Sequence, residues 1–157
     1  MAKEIERKFV VDGTEWRDLA ERAIPMRQFY LAAAPDRSVR IRVIGGVTAV
    51  LTLKFGRRAR ERDEFEYAIP LEEAQEIEAF AVGHVIEKTR YHVRHDGFLF
   101  EVDVFAGDLA GLVLAELETP DEMPDATLPA WLGREVTDEV AYSNAVLALR
   151  GRPAEPS

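Results

Sequence analysis

Apolar and polar residues alternate along most of this chain, and the alternation is broken at a few places by turn residues. Residues 3–11 alternate and end in Phe9-Val10-Val11, which predicts a strand. Asp12-Gly13-Thr14 reads as a turn. "EWRDLAERAI" (15–24) sets Trp16, Leu19, Ala20 and Ala23 at helical spacing, with Pro25 as the stop. Strands are predicted over 26–33, 38–44 and 47–55, the last two joined by the hairpin signal Gly45-Gly46. A charged connection, "GRRARERD" (56–63), leads into a strand over 64–69. Pro70 in front and Gly83 behind frame a helix over 71–81. Strands over 84–95 and 98–107 flank the hairpin dipeptide Asp96-Gly97, and another covers 112–120. Residues 121–130 read as a loop and "PAWLG" (129–133) as one helical turn. Thr137 is placed to cap a last helix over 138–150 that ends at Gly151. Eight strands with mostly short connections favour an antiparallel sheet or barrel, in one domain over 1–150 with a frayed tail over 151–157.

The polar side of these strands is strongly charged. In a strand, residues two apart share a face. Glu4, Glu6 and Lys8 form one such row, and Arg40 with Arg42, Glu64 with Glu66, Lys88 with Arg90, Glu101 with Asp103, and Glu116 with Glu118 form others. Lys54 stands alone on its strand, and His92 continues the Lys88 row. Ile41, Leu51, Leu53, Val93, Val102 and Leu117 occupy the opposite face. A solvated outer face accounts for any single pair. Stacked like charges on six strands are costly unless something intervenes. A face turned inward, with cations around a polyanion and carboxylates around its metal ions, satisfies that demand. Arg offers bidentate contacts to phosphate and Lys a point charge, while Mg²⁺ takes one or two protein carboxylates along with water and phosphate oxygens.

Composition narrows the chemistry. Among 157 residues there is no cysteine, so a thiolate metal site is excluded, and with only three histidines a histidine-rich zinc site is not expected. A net charge of −9 argues against broad nucleic-acid binding. The N-terminus is charged and has no apolar leader segment, and no apolar run approaches the ~18 residues that mark a membrane span. A cytoplasmic protein without membrane or nucleic-acid partners is expected, with outer hydrophobic strands that would support a homodimer.

In this light the sequence resembles the CYTH superfamily, the triphosphate tunnel metalloenzymes. The signature E-x-E-x-K is Glu4-Ile5-Glu6-Arg7-Lys8, followed in order by "SVRIR", "LTLKFG", "EFEYAIP", "IEKTRYHV", "FEVDVFAG" and "LVLAELETP", with "WLGREVT" typical of short bacterial members. The resemblance implies an α+β fold built on an eight-stranded antiparallel β-barrel, with helices packed outside and a C-terminal helix that closes one tunnel mouth or packs on the exterior. It implies phosphate binding by Lys8, Arg40, Arg42, Lys54, Lys88 and Arg90. Glu4, Glu6, Glu116 and Glu118 would hold Mg²⁺ or Mn²⁺, with Glu4, Glu6 and Lys8 catalytic. Glu64, Glu66, Asp103 and Glu101 are assigned either to metal or to supporting the basic side chains, and Tyr30 either to the tunnel or to the core. The implied reaction is hydrolysis of tripolyphosphate to pyrophosphate and phosphate. Nucleoside or thiamine triphosphate hydrolysis, class IV adenylyl cyclase activity and a non-catalytic polyphosphate- or nucleotide-binding module are the alternatives. The cyclases carry a His-Phe element ahead of the signature, which Met1-Ala2-Lys3 do not supply.

Overall fold

The computed structural model describes residues 5–58, 61–119 and 124–154. The alternating segments form nine strands: β1 (Ile5–Val11), β2 (Ala20–Ala34), β3 (Arg37–Ile44), β4 (Thr48–Arg58), β5 (Glu61–Ile69), β6 (Val82–His95), β7 (Phe98–Phe105), β8 (Val113–Thr119) and β9 (Leu132–Glu135). Two α-helices accompany them, α1 (Leu71–Ile77) and α2 (Asn144–Arg150). The strands make one antiparallel sheet in the order β5-β4-β3-β2-β6-β7-β8-β1-β9. Among the described residues β5 and β9 pair on one side only, so the eight-stranded closed barrel is replaced by an open nine-stranded sheet. The extra strand is β9, which pairs with β1 where a helical turn was expected.

The sheet is nevertheless curled. Arg42 on β3 feels the charge of Glu116 on β8, four strands away. In a flat sheet, four spacings of about 4.8 Å would hold those strands roughly 19 Å apart. Curling brings their charged faces toward one another.

Helical spacing over 15–24 misled. Only Glu15–Leu19 coils, as a 3-10 turn, and Ala20 already begins β2. There the chain pairs with β6, Ile24 opposite Arg90 and Pro25 opposite Thr89. Pairing with β3 starts only at Met26, so the N–H that Pro25 lacks falls where the ladder has not begun. A lone short helix is marginal in water, whereas β6 has backbone groups that need partners along this whole length. Residues 56–58 and 61–63 likewise extend β4 and β5 rather than forming a loose connection, and residues 59–60 lie outside the described residues.

Three apolar clusters fix the layers. Phe29, Ile41, Ala49 and Ala74 join the outer face of β2–β4 to α1. Val93, Phe100, Val102 and Leu117 join the outer face of β6–β8 to Trp16 and Trp131. The third cluster lies on the charged face. Tyr30, Ile86, Phe105 and Leu114 share that face by register, and they bury Leu147 and Ala148 of α2 together with Tyr142. The C-terminal helix therefore sits inside the curl, at one end of it. It is shorter than expected: Ser143, not Thr137, caps it, accepting from the Val146 N–H at 3.2 Å. Thr137 instead accepts from the Lys8 N–H at 3.1 Å, tying the β9 segment to β1. No helix among the described residues is long and apolar enough to cross a membrane.

Candidate active site

Residues directly opposite in an antiparallel pair face the same side. Register therefore places the charged residues on one surface. Glu6 faces Glu118, Lys8 faces Glu116 and Glu116 faces Glu101. Next come His92 opposite Glu101 and Arg90 opposite Asp103. On the other flank Arg42 faces Gln28, Arg40 faces Tyr30 and Thr52, Glu66 faces Thr52 and Glu64 faces Lys54. Every expected site residue that the structure describes thus lies on the concave face, and Glu4 lies outside the described residues. Arg7 falls on the opposite face, bonded to Glu135 and Asp125.

The β6–β7–β8–β1 flank is internally neutralised. Asp103, 3% exposed, accepts from Lys88 Nζ at 2.8 Å and from Arg90 Nε and Nη2 at 2.8 and 2.9 Å. Arg90 also reaches Glu101 at 3.0 Å and Glu116 at 3.8 Å. Glu116 lies 3.2 Å from Lys8 Nζ, which also donates to the Tyr142 carbonyl at 3.0 Å. The Tyr142 turn leading into α2 thereby helps fix Lys8. Burial would raise the Asp103 carboxyl, but Lys88 and Arg90 outweigh it and hold it below the usual range. For Glu116 burial is likewise outweighed, chiefly by Lys8, and its pKa also falls. Lys88 goes the other way for an ammonium. Burial, with Arg42 and Arg90 nearby, lowers it to about 7 despite Asp103. His92 Nε2 stands 3.8 Å from Glu101.

The β2–β3–β4 flank is different. Arg42 donates through Nε to Gln28 Oε1 at 2.8 Å, a neutral partner. Arg40 meets Thr52 Oγ1 at 3.5 Å, and its buried Nε has no acceptor. Burial, then Arg40 and Arg90, lower Arg42 to about 10. Among the described residues Lys8, Lys88, Arg90 and His92 each stand within 4 Å of a carboxylate, whereas no ion pair is formed by Arg40, Arg42 or Lys54. An arginine whose charge is destabilised by burial and by a second arginine is poised for an anion.

The rim carries the donor set for a hard cation. Glu6 and Glu118 are exposed and directly opposite one another, with Glu116 two residues along β8. The described residues gather no group of three carboxylates or histidines around one point. Mg²⁺ keeps waters and substrate oxygens and needs only one or two protein carboxylates.

A CYTH domain matches residues 2–151. This chain belongs to the CYTH family. Over 148 residues it is 45% identical to a curated inorganic triphosphatase of Acetivibrio thermocellus, covering 94% of each chain. It is 39% identical over 150 residues to one from Nitrosomonas europaea, covering 93% of this chain and 97% of the relative. A crystal structure of an inorganic triphosphatase superposes with a TM-score of 0.69 at 36% identity, covering 98% of this chain and 99% of the other. Within the CYTH domain, sequence reasoning missed two contributors. Gln28 is fully buried beside Arg42, and its only signal was a polar residue between Met26 and Tyr30 at in-phase strand positions. The Tyr142 carbonyl left no signal, because a main-chain contact depends on the folded path alone.

Proposed function

We propose that this CYTH protein hydrolyses tripolyphosphate to pyrophosphate and phosphate on the concave face of its sheet. The observation that carries the reading is the unneutralised Arg40–Arg42 pair facing the carboxylate-bearing flank across the curl. The names of the relatives point to the same substrate.

Arg40, Arg42 and Lys54 would take the charge of the anion, with Lys88, Arg90 and Lys8 completing the cradle from the other flank. Asp103 then holds Lys88 and Arg90 in place, and Glu101 supports Arg90. Glu64 and Glu66, exposed on β5, would lie beside Lys54 and Thr52 of β4, Glu64 directly opposite Lys54. Glu6, Glu116 and Glu118, with Glu4, would hold Mg²⁺ or Mn²⁺, which when bound screens phosphate charge and acidifies water. Water attacks the terminal phosphorus, its proton passes to a carboxylate of the Glu4–Glu6 pair, and the bridging P–O bond breaks to release pyrophosphate. Lys8, fixed by Glu116 and Tyr142, faces the charge that develops on the transferred group. The rate comes from positioning and electrostatics, as for phosphoryl transfer generally. Tyr30 packs in one cluster with Leu147 and Ala148 of α2, and a helix seated at that end would favour a short linear anion over long polyphosphate. On this reading the protein works in the cytoplasm, and the exposed Phe65 and Tyr67 of β5 give a homodimer its surface.

Phosphate release from tripolyphosphate, ATP and thiamine triphosphate, each with Mg²⁺, Mn²⁺ or EDTA, tests the proposal. Metal-dependent release fastest from tripolyphosphate is expected. No metal-dependent release from any of them ends the enzyme reading in favour of a binding module, and cyclic AMP from ATP would make the protein a cyclase.

A further inference from the structure

Resting on that reading, we propose that Gln28 is a substrate-binding residue. Its side-chain N–H donates to a phosphoryl oxygen, while its carbonyl oxygen orients Arg42 toward the same anion without neutralising it. Gln28 is 0% exposed and lies on β2, between the strand that carries Arg40 and Arg42 and the strand that carries Lys88 and Arg90. Arg42 Nε can only donate, so the amide oxygen must face it, and the 2.8 Å contact fixes the amide's orientation. The Nε2 group is thereby turned to where no acceptor exists. A buried donor without a partner is costly, and such groups are rare in native proteins.

A second one lies next to it. Arg40 Nε, on the neighbouring strand, is also buried without an acceptor. Two unpartnered donors beside a guanidinium whose charged form is disfavoured are suited to an acceptor that carries negative charge. Phosphoryl oxygens are acceptors only and meet all three needs at once. The choice of an amide also follows. A carboxylate here would pair with Arg42 as Asp103 pairs with Arg90, and would remove a positive charge from the substrate's cradle.

Gln28→Glu and Gln28→Met separate this role from a packing role. Gln28→Glu keeps an acceptor for Arg42, removes the N–H and adds a negative charge. Its melting temperature without ligand should equal or exceed wild type, while KM for tripolyphosphate rises by ~100-fold or more, since a lost contact to a charged group and a new repulsion act together. Gln28→Met should fold, with some loss of stability because Arg42 Nε loses its acceptor, and raise KM by ~10-fold with a smaller change in kcat. A packing role predicts instead that activity follows stability. If either folded variant keeps the wild-type KM, or if only kcat falls, the assignment is wrong, and if Gln28→Glu does not fold, Gln28→Met decides. The wild type is assayed alongside for phosphate release and for a tripolyphosphate-induced rise in melting temperature. If it shows neither, the functional reading fails. If it shows both and the variants match it, only the Gln28 assignment fails.

Discussion

The two flanks of the concave face carry similar cations in opposite electrostatic states. On β6–β7–β8–β1, Lys88, Arg90 and Lys8 each touch a carboxylate. On β2–β3–β4, Arg42 rests on an amide and Arg40 on a hydroxyl. The first flank is a framework whose geometry is complete without substrate. The second holds charge that the fold alone does not balance. Buried charges are tolerated when paired, so the imbalance marks where the partner has to come from outside. The difference also separates stability from binding: removing the buried carboxylate of the first flank should cost stability, and removing a cation of the second should weaken ligand binding.

The largest expected effect lies on the rim that joins the flanks. Lys8→Ala and Glu6→Ala should each lower tripolyphosphate turnover by more than ~100-fold, the scale of one lost preorganised contact. Full turnover in Lys8→Ala would remove it from the site. The next pair tests the comparison itself. Asp103→Ala strands Lys88 and Arg90 in the interior, and denaturant melts should show a loss of about 3–5 kcal/mol, as for one partner removed from a buried ion pair. Arg42→Met should leave stability near wild type, because it removes a buried charge that no carboxylate contacts, while raising KM by ~10-fold or more. If Arg42→Met destabilises as much as Asp103→Ala, the two flanks are not different.

A smaller effect follows from Lys88. Its folded value near 7 lies well below that of free lysine. Between the two, the unfolded chain binds a proton that the folded chain does not, so ligand-free stability should rise with pH over that interval. Lys88→Met should flatten the rise in melts at successive pH values, and an unchanged slope would assign it to another group. The smallest effect is on the outer face. Arg7 lies within the signature but pairs with Glu135 and Asp125 away from the site. Arg7→Gln should leave turnover unchanged and show its cost, if any, only in melts.

The alternation of residues was enough to separate two faces. It put Arg40, Lys54, Lys88, Glu101 and Glu116 on one side and Ile41, Phe100 and Leu117 on the other, because a strand's side-chain period is a local property of the backbone. It also marked most strands, and the order of the charged motifs carried the family. It misread residues 20–24, since a helical pattern of alanines and Leu19 says nothing about the backbone partners that β6 offers. Tertiary structure alone decided which cations are neutralised. The sequence shows Lys88-x-Arg90 and Arg40-x-Arg42 as equivalent pairs, yet Asp103 lies across from Arg90 and Gln28 across from Arg42. It likewise decided that α2 packs inside the curl, that Tyr142 fixes Lys8 and that the sheet stays open. Each of these depends on register between strands distant along the chain, which no local pattern encodes.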